Sequence, residues 1–144
     1  MPRNPLDQLT NGRAFLEPVL APAGFSWVPG DAGRGSGGKF ASGAYARGDR
    51  RLELHFRDGL GLVTYHVGRN SVGHEDYMRH LGHYREAEFP GFPNDPLDGF
   101  GALARDMQRW CSDFLSGDGE SVSLAQAHAA ERAKGSGFAR LERP

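Results

Sequence analysis

Apolar and polar residues alternate along residues 39–67, and a period of two is the pattern of β-strands that bury one face. Two short sequences, Gly48-Asp49 and Asp58-Gly59, interrupt the alternation and favour tight hairpin turns. The segment is therefore predicted to form three antiparallel strands. These strands span residues 39–47, 50–57 and 60–67.

The two turns predict the same buried face. Counting outward from the second turn places Leu54 opposite Val63 and pairs Phe56 with Gly61. Counting from the first turn places Gly43 opposite Leu54, so both counts gather the apolar side chains on one side. A slip of one residue would turn every side chain to the other face, and we therefore expect a well-specified register.

The helical pattern is clearest over residues 97–115, where apolar side chains recur every three or four positions. This stripe contains Leu97, Phe100, Leu103, Ala104, Met107, Trp110, Cys111 and Phe114. Polar side chains, Asp106 among them, are predicted to face away from it. Asp95 and Pro96 favour a helix start, and Gly117 favours its end. We expect one helix whose apolar side covers the sheet.

The beginning of the chain predicts a helix near residues 6–21 and a strand near residues 25–28. Gly12 and Pro18 lie inside the helical stretch and weaken it. Pro29 ends the strand or confines it to an edge of the sheet.

Glycine is concentrated in residues 30–38. Gly33 and Gly38-Lys39 have the spacing of a P-loop, but Phe40 occupies the position of the Ser or Thr that ligates magnesium. The residues that follow alternate as a strand and do not open a helix that could hold a phosphate. The run therefore predicts a surface loop.

Together these elements predict the α+β class, with an antiparallel meander of about four strands and the helices near residues 6–21 and 97–115 packed on one face. We expect a single domain over residues 1–117. Residues 118–144 are predicted to form a C-terminal helix and a flexible tail, docked on the domain or on a partner. This architecture is similar to that of small bacterial immunity proteins and secretion chaperones, although no motif identifies a family.

Composition and charge limit the classes of partner and the cellular location that we expect. Lys and Arg number 17 and Asp and Glu number 18, so the chain lacks the positive field that draws proteins to nucleic acids or anionic membranes. The single cysteine cannot form a disulfide within the chain, and no apolar run reaches the length of a membrane span. We expect a cytoplasmic protein that binds neither nucleic acid nor membrane.

Histidine is the residue type that most suggests catalysis or metal binding, because five of the six histidines lie between residues 55 and 83. A short helix is predicted from His74 to about Leu81. His80 and His83 lie one helical turn apart if that helix continues, and with His74 they are candidate ligands of a divalent metal such as zinc.

A candidate catalytic arrangement, separate from the candidate metal ligands, lies on the polar face of the predicted sheet. Ser42 and His55 are cross-strand neighbours there, with Glu53 beside them, and a serine, a base and a carboxylate are the parts of a hydrolase. The alternative function is therefore a small metal-dependent or Ser/His hydrolase that uses the histidines between residues 55 and 83.

The leading hypothesis is a non-catalytic protein-binding module without a cofactor, whose partner is a protein; a homodimer is the alternative assembly. The candidate binding residues of the sheet share its polar face and form a charged recognition surface: Glu53, His55, Arg57 and His66. Phe89 and Phe92 lie in a long proline-rich loop, where they are either interface anchors or a small extension of the core.

Overall fold

A computed structural model of the chain describes residues 4–35, 38–91 and 95–142. Its five-stranded antiparallel sheet and the helices packed on it confirm the predicted α+β class, with one strand more than expected. The strands are β1 (Ser26–Gly35), β2 (Gly38–Arg47), β3 (Arg50–Phe56), β4 (Leu60–Val67) and β5 (Asn70–Gly73). The helices are α1 (Pro5–Leu20), α2 (His74–Leu81), α3 (Asp98–Trp110), α4 (Ser112–Ser116) and α5 (Glu120–Glu142). The strands lie in chain order across the sheet.

The predicted register of the central hairpins is correct except beside one turn. Leu54 pairs with Val63, and the β2–β3 register matches the prediction throughout. Close to the β3–β4 turn, Phe56 pairs with Leu60 and not with Gly61, because a bulge shifts the register. The bulge directs both Phe56 and Leu60 into the core, where both side chains are buried.

The glycine-rich run 30–38 is not the predicted loop, because its described residues form the outer part of the β1–β2 hairpin. Residues 32–35 pair with residues 38–41 beyond a bulge that follows Pro29. β3 ends at Phe56, so the end of this hairpin has no third strand beside it. Neither face of the hairpin is buried there, so the strands do not require alternating apolar and polar residues. The sequence therefore lacks the pattern by which a strand is predicted.

β5 is the strand that the sequence pattern does not predict. Its four residues are turn-like in composition, and Val72 is their one apolar side chain. Val72 pairs with Tyr65 of β4 and is buried. Helix α5 packs against β5, and the Ser71 amide donates a hydrogen bond of 2.5 Å to the side-chain oxygen of Gln126. The helix therefore covers this edge of the sheet.

Helix α1 runs through both Gly12 and Pro18 without a break. Gly12 lies directly against the ring of Phe100 in α3, and a Cβ atom at this position would overlap that ring. Phe100 in turn stacks on Phe56 of the sheet, with 5.8 Å between the ring centroids. The glycine that weakens the helix therefore permits the close contact between α1 and α3.

The single helix predicted over residues 97–115 is two helices, α3 and α4, which meet at Cys111. The φ of −104° and ψ of 27° at Cys111 are not helical. After the break, Phe114 still faces the core, where its ring lies 5.4 Å from that of Phe25 and 4.9 Å from that of Tyr65. The position of Phe114 on the apolar side is therefore predicted correctly, although the helix is interrupted.

The core lies between the helices and one face of the sheet, which we call the inner face. Its strands contribute Ala41, Tyr45, Leu52, Leu54, Phe56, Val63, Tyr65 and Val72. The opposite, outer face carries the alternate residues, and the helices described here do not cover it. Two regions of this fold bring polar side chains together: the outer face and a buried cluster beneath the inner face.

Candidate functional site

The register defines the outer face row by row across the sheet. Its members are Val28, Phe40, Ser42, Ala44, Ala46, Arg51, Glu53, His55, Leu62, Thr64 and His66. Leu62 is 64% exposed and Val28 is 50% exposed, so the face presents aliphatic side chains to solvent as well as charges. Arg57 directly follows β3, beside the bulge. All four predicted binding residues of the sheet therefore lie on or beside this face.

A groove follows β2 along the outer face. The outward side chains of β2 are small, namely Ser42, Ala44 and Ala46, whereas Val28 on one side and Arg51 on the other are larger. Two adjacent cavities, of about 210 and 410 Å³, share Val28 and Arg51 in their walls. The small residues of β2 thus form the floor of a shallow depression whose walls are an aliphatic and a cationic side chain.

The carboxylate of Glu53 is the centre of the ion pairs on the outer face. His66 Nε2 lies 2.8 Å from Glu53 Oε1, and the Arg51 guanidinium lies 3.9 Å from the same oxygen. Arg57 adds a further cation at the end of β3. Asp31 also lines the groove, so two carboxylates accompany the two guanidinium groups of this region.

The structure does not bring together the serine, the histidine and the carboxylate that the sequence places on this face as candidate hydrolase residues. Ser42 Oγ accepts a hydrogen bond from the Asp31 amide and donates one to the Asp31 carbonyl, at 3.1 and 3.2 Å. The His55 ring stacks on Phe40 at 5.3 Å, and Glu53 is paired with His66 instead. Ser42, His55 and Glu53 are therefore neighbours in the sheet whose polar atoms bind different partners.

The three predicted metal ligands also bind different partners. His74 is buried; His80 contacts His128 of α5; His83 stacks on Trp110 at 4.6 Å. Helix α2 ends at Leu81, so His83 no longer lies on it. Among the residues that the structure describes, no group of three or more His, Cys, Asp or Glu side chains is placed to hold a metal ion.

Beneath the inner face, His74 is the first residue of α2 and joins a buried polar cluster. Its Nε2 lies 2.9 Å from Asp106 Oδ2, and its Nδ1 lies 2.7 Å from the Tyr65 hydroxyl. A carboxylate accepts hydrogen bonds only, so Nε2 carries a proton and donates it to Asp106. In the neutral imidazole, Nδ1 then accepts the hydrogen bond of the Tyr65 hydroxyl.

Asp106 connects this cluster to the loop before α3. The amides of Glu88 and Phe89 donate hydrogen bonds to its two oxygens, at 2.8 and 3.0 Å. Burial raises the pKa of Asp106, but the hydrogen bonds from His74 and from the two amides outweigh burial, and the pKa of this carboxyl is lowered. The sequence pattern placed Asp106 on the polar side of the helix, and this prediction is wrong.

The buried cluster resembles a catalytic relay in its order of groups, because the Tyr65 hydroxyl also lies 3.7 Å from Cys111 Sγ. Burial, however, raises the pKa of Tyr65 well above its ordinary value and raises the pKa of Cys111 to about 12. Neither group is ionised near neutral pH, and both side chains are buried. The cluster therefore stabilises the fold and supplies no nucleophile.

Phe89 belongs to the extended core and not to an exposed loop tip. Its ring packs edge-on against His74, with 5.3 Å between the centroids, while its amide binds Asp106. With Met78 and His74 it lines a pocket of about 240 Å³. Phe92, the other predicted anchor, lies outside the described residues.

No known protein-family model matches the chain, and neither the curated proteins nor the solved structures give a significant match. Within residues 4–35, 38–91 and 95–142, no helix combines the length and the apolar character that crossing a bilayer requires.

Proposed function

We propose that this protein is a non-catalytic protein-binding module whose partner docks on the outer face of the sheet. The observation that carries the proposal is the exposure of Leu62, at 64%, on a charged sheet face, beside His55 and at the end of β4 that β5 does not reach. An aliphatic side chain in such a position gains free energy when a partner covers it, while surrounding charges give orientation. We also expect the module to act in the cytoplasm, in keeping with a single cysteine that cannot form a disulfide within the chain.

The charge of the outer face indicates the chemistry of the partner. Arg51 and Arg57 offer guanidinium groups on or beside this face, whereas the carboxylate of Glu53 is already paired with His66. Arginine is also the charged residue most enriched at the centres of protein interfaces. The proposed partner is therefore a protein surface with an aliphatic centre and Asp or Glu side chains around it.

The size of the face supports a contact that extends beyond the strands. A sheet of this width and strand length offers roughly 500 Å², from strand spacings of about 4.8 Å and rises of about 3.3 Å per residue. A standard interface buries about 800 Å² on each partner. We therefore expect the partner to reach beyond the central strands, over β1 and the projecting β1–β2 hairpin.

A photocrosslinking experiment in the cells of origin tests this proposal. Leu62 is replaced by p-benzoylphenylalanine in the full chain, and Leu124, which is exposed on α5, receives the same replacement as a matched control. We expect one discrete crosslinked protein from position 62 that the control does not give, with an acidic segment at the site of attachment.

Two further variants make the test decisive. Arg51→Glu in the position-62 background should abolish the crosslink by reversing the charge of the groove wall, whereas Arg69→Glu, in the β4–β5 turn, should leave it intact. A crosslink that survives Arg51→Glu, or that appears equally from position 124, would refute the proposed docking face. Failure of position 62 to crosslink any protein would have the same consequence.

A further inference from the structure

His80 and His128 face each other across the contact between α2 and α5. Their Nδ1 atoms lie 2.7 Å apart, and their ring centroids lie 4.6 Å apart. One residue is half-buried and the other exposed, so both nitrogens are within reach of solutes. The two residues are 48 positions apart in the chain, and only the docking of α5 on α2 brings them together.

We propose that His80 and His128 form a surface site for a divalent transition metal of the zinc, nickel and copper class. Neutral imidazole is a preferred ligand of these ions, whereas magnesium and calcium prefer oxygen. Two imidazole nitrogens on one tetrahedral zinc lie about 3.3 Å apart, since each Zn–N bond is about 2.0–2.1 Å. Small rotations of two surface side chains widen the separation of 2.7 Å to this value.

The pair is prepared for a metal because its nitrogens cannot both be protonated at this distance. A contact of 2.7 Å between two Nδ1 atoms accommodates one hydrogen, so at least one ring is neutral. Metal binding needs both Nδ1 atoms free of protons, and in each neutral ring the proton then resides on Nε2.

The charged neighbours of the pair balance each other. Asp76 lies one helical turn before His80 on α2, and Arg132 lies one turn after His128 on α5. These two side chains form an ion pair of 2.9 Å between the same helices. The site therefore carries little net charge before the metal binds, and two protein ligands leave the other coordination positions to water.

The consequence of metal binding is a stronger attachment of α5. Val122 and Ala125 are its buried apolar residues in the described part of the helix, and Gln126 binds the backbone of β5. A metal between α2 and α5 adds a link one turn beyond these contacts. Occupancy of the site thus controls how firmly the C-terminal helix covers the edge of the sheet.

Metal titration of the full, tag-free chain tests the site. The protein is treated with EDTA, dialysed and titrated with zinc or nickel chloride at about pH 7.5, where imidazole is mostly neutral. We expect Tm to rise by roughly 5–10 °C at a metal concentration about 100 times the Kd, and magnesium chloride to have no effect. Amide hydrogen exchange of residues 120–134 should slow in the zinc-bound protein.

Three variants identify the ligands. His80→Gln and His128→Gln should each weaken zinc binding more than about tenfold and remove the change in hydrogen exchange, with native circular dichroism retained. His66→Gln, which removes a histidine from the outer face, should leave the zinc response unchanged. The proposal is overturned if zinc does not raise Tm, or if the rise persists in both ligand variants.

Discussion

The imidazole of His74 donates a hydrogen bond from Nε2 to the carboxylate of Asp106 at 2.9 Å, and both side chains are buried. This pair joins the beginning of α2 to the middle of α3. Through the amides of Glu88 and Phe89, it also fixes the loop between them. A buried carboxylate remains ionised only when several donors satisfy it, and here three donors do so.

Replacement of Asp106 by asparagine should destabilise the protein by about 2–4 kcal/mol. Asparagine has one oxygen where three N–H groups now donate to two, and its amide group would point a further donor at one of them. Chemical denaturation with urea measures the change. Glu86→Gln, at an exposed position on the same loop, is the control and should change the free energy of unfolding by less than about 0.5 kcal/mol. Equal effects of the two substitutions would contradict the assigned role of Asp106.

The stability that Asp106 confers should depend on pH with a definite sign. The pKa of this carboxyl is lower in the folded chain than its ordinary value of 3.8, so its contribution is fully present above that value. The contribution is lost as the pH falls through the lowered pKa of the folded state. The difference in unfolding free energy between the wild type and Asp106→Asn should therefore be constant near neutral pH and shrink in strong acid. A difference that grows on acidification would contradict the shift.

Gly12→Ala should destabilise the protein although alanine is the better helix former. The new Cβ would overlap the Phe100 ring, so α1 and α3 must separate or the ring must leave its stack on Phe56. We expect a loss of about 1–3 kcal/mol, typical of overpacking in a core. Gly101→Ala is the matched control, because its Cβ would meet the flexible end of Arg105 at 3.3 Å and make an ordinary contact with Phe15 at 3.7 Å.

The control should be neutral or more stable by up to about 1 kcal/mol, through the higher helix propensity of alanine. Urea denaturation of both variants under one set of conditions makes the comparison. If Gly12→Ala is as stable as Gly101→Ala, the contact between Gly12 and the Phe100 ring does not determine how closely α1 and α3 pack.

The central hairpins could be predicted from the sequence because their information is local. Two turns of two residues and a strict alternation determine the partner of Leu54 without reference to the rest of the fold. The bulge beside Phe56 could not be predicted in the same way. It forms because both Phe56 and Leu60 gain by burial against α3, and that depends on tertiary packing.

The outer face could likewise be predicted, since Glu53, His55 and His66 follow from the same alternation. The contacts of Asp106 and of His128 could not, because each has its partners in a distant part of the chain. One weak signal for Asp106 existed: it lies three residues after Leu103 and directly before Met107, at the margin of the apolar stripe. Whether a polar residue at the margin of an apolar stripe is buried depends on the hydrogen-bond donors that the fold brings to it. Those donors cannot be identified from the local sequence.

Cys111 should be almost unreactive in the folded protein. Burial raises the pKa of its thiol from the ordinary value of 9.0 to about 12, and the thiolate is the species that attacks disulfide reagents. At about pH 8 the thiolate fraction is then lower by roughly a thousandfold than in the unfolded chain. The reaction with 5,5′-dithiobis(2-nitrobenzoic acid) should accordingly be slow in buffer and fast in concentrated urea. Rapid labelling of the native chain would mean that the junction of α3 and α4 opens readily, which the packing of Phe114 against Tyr65 opposes.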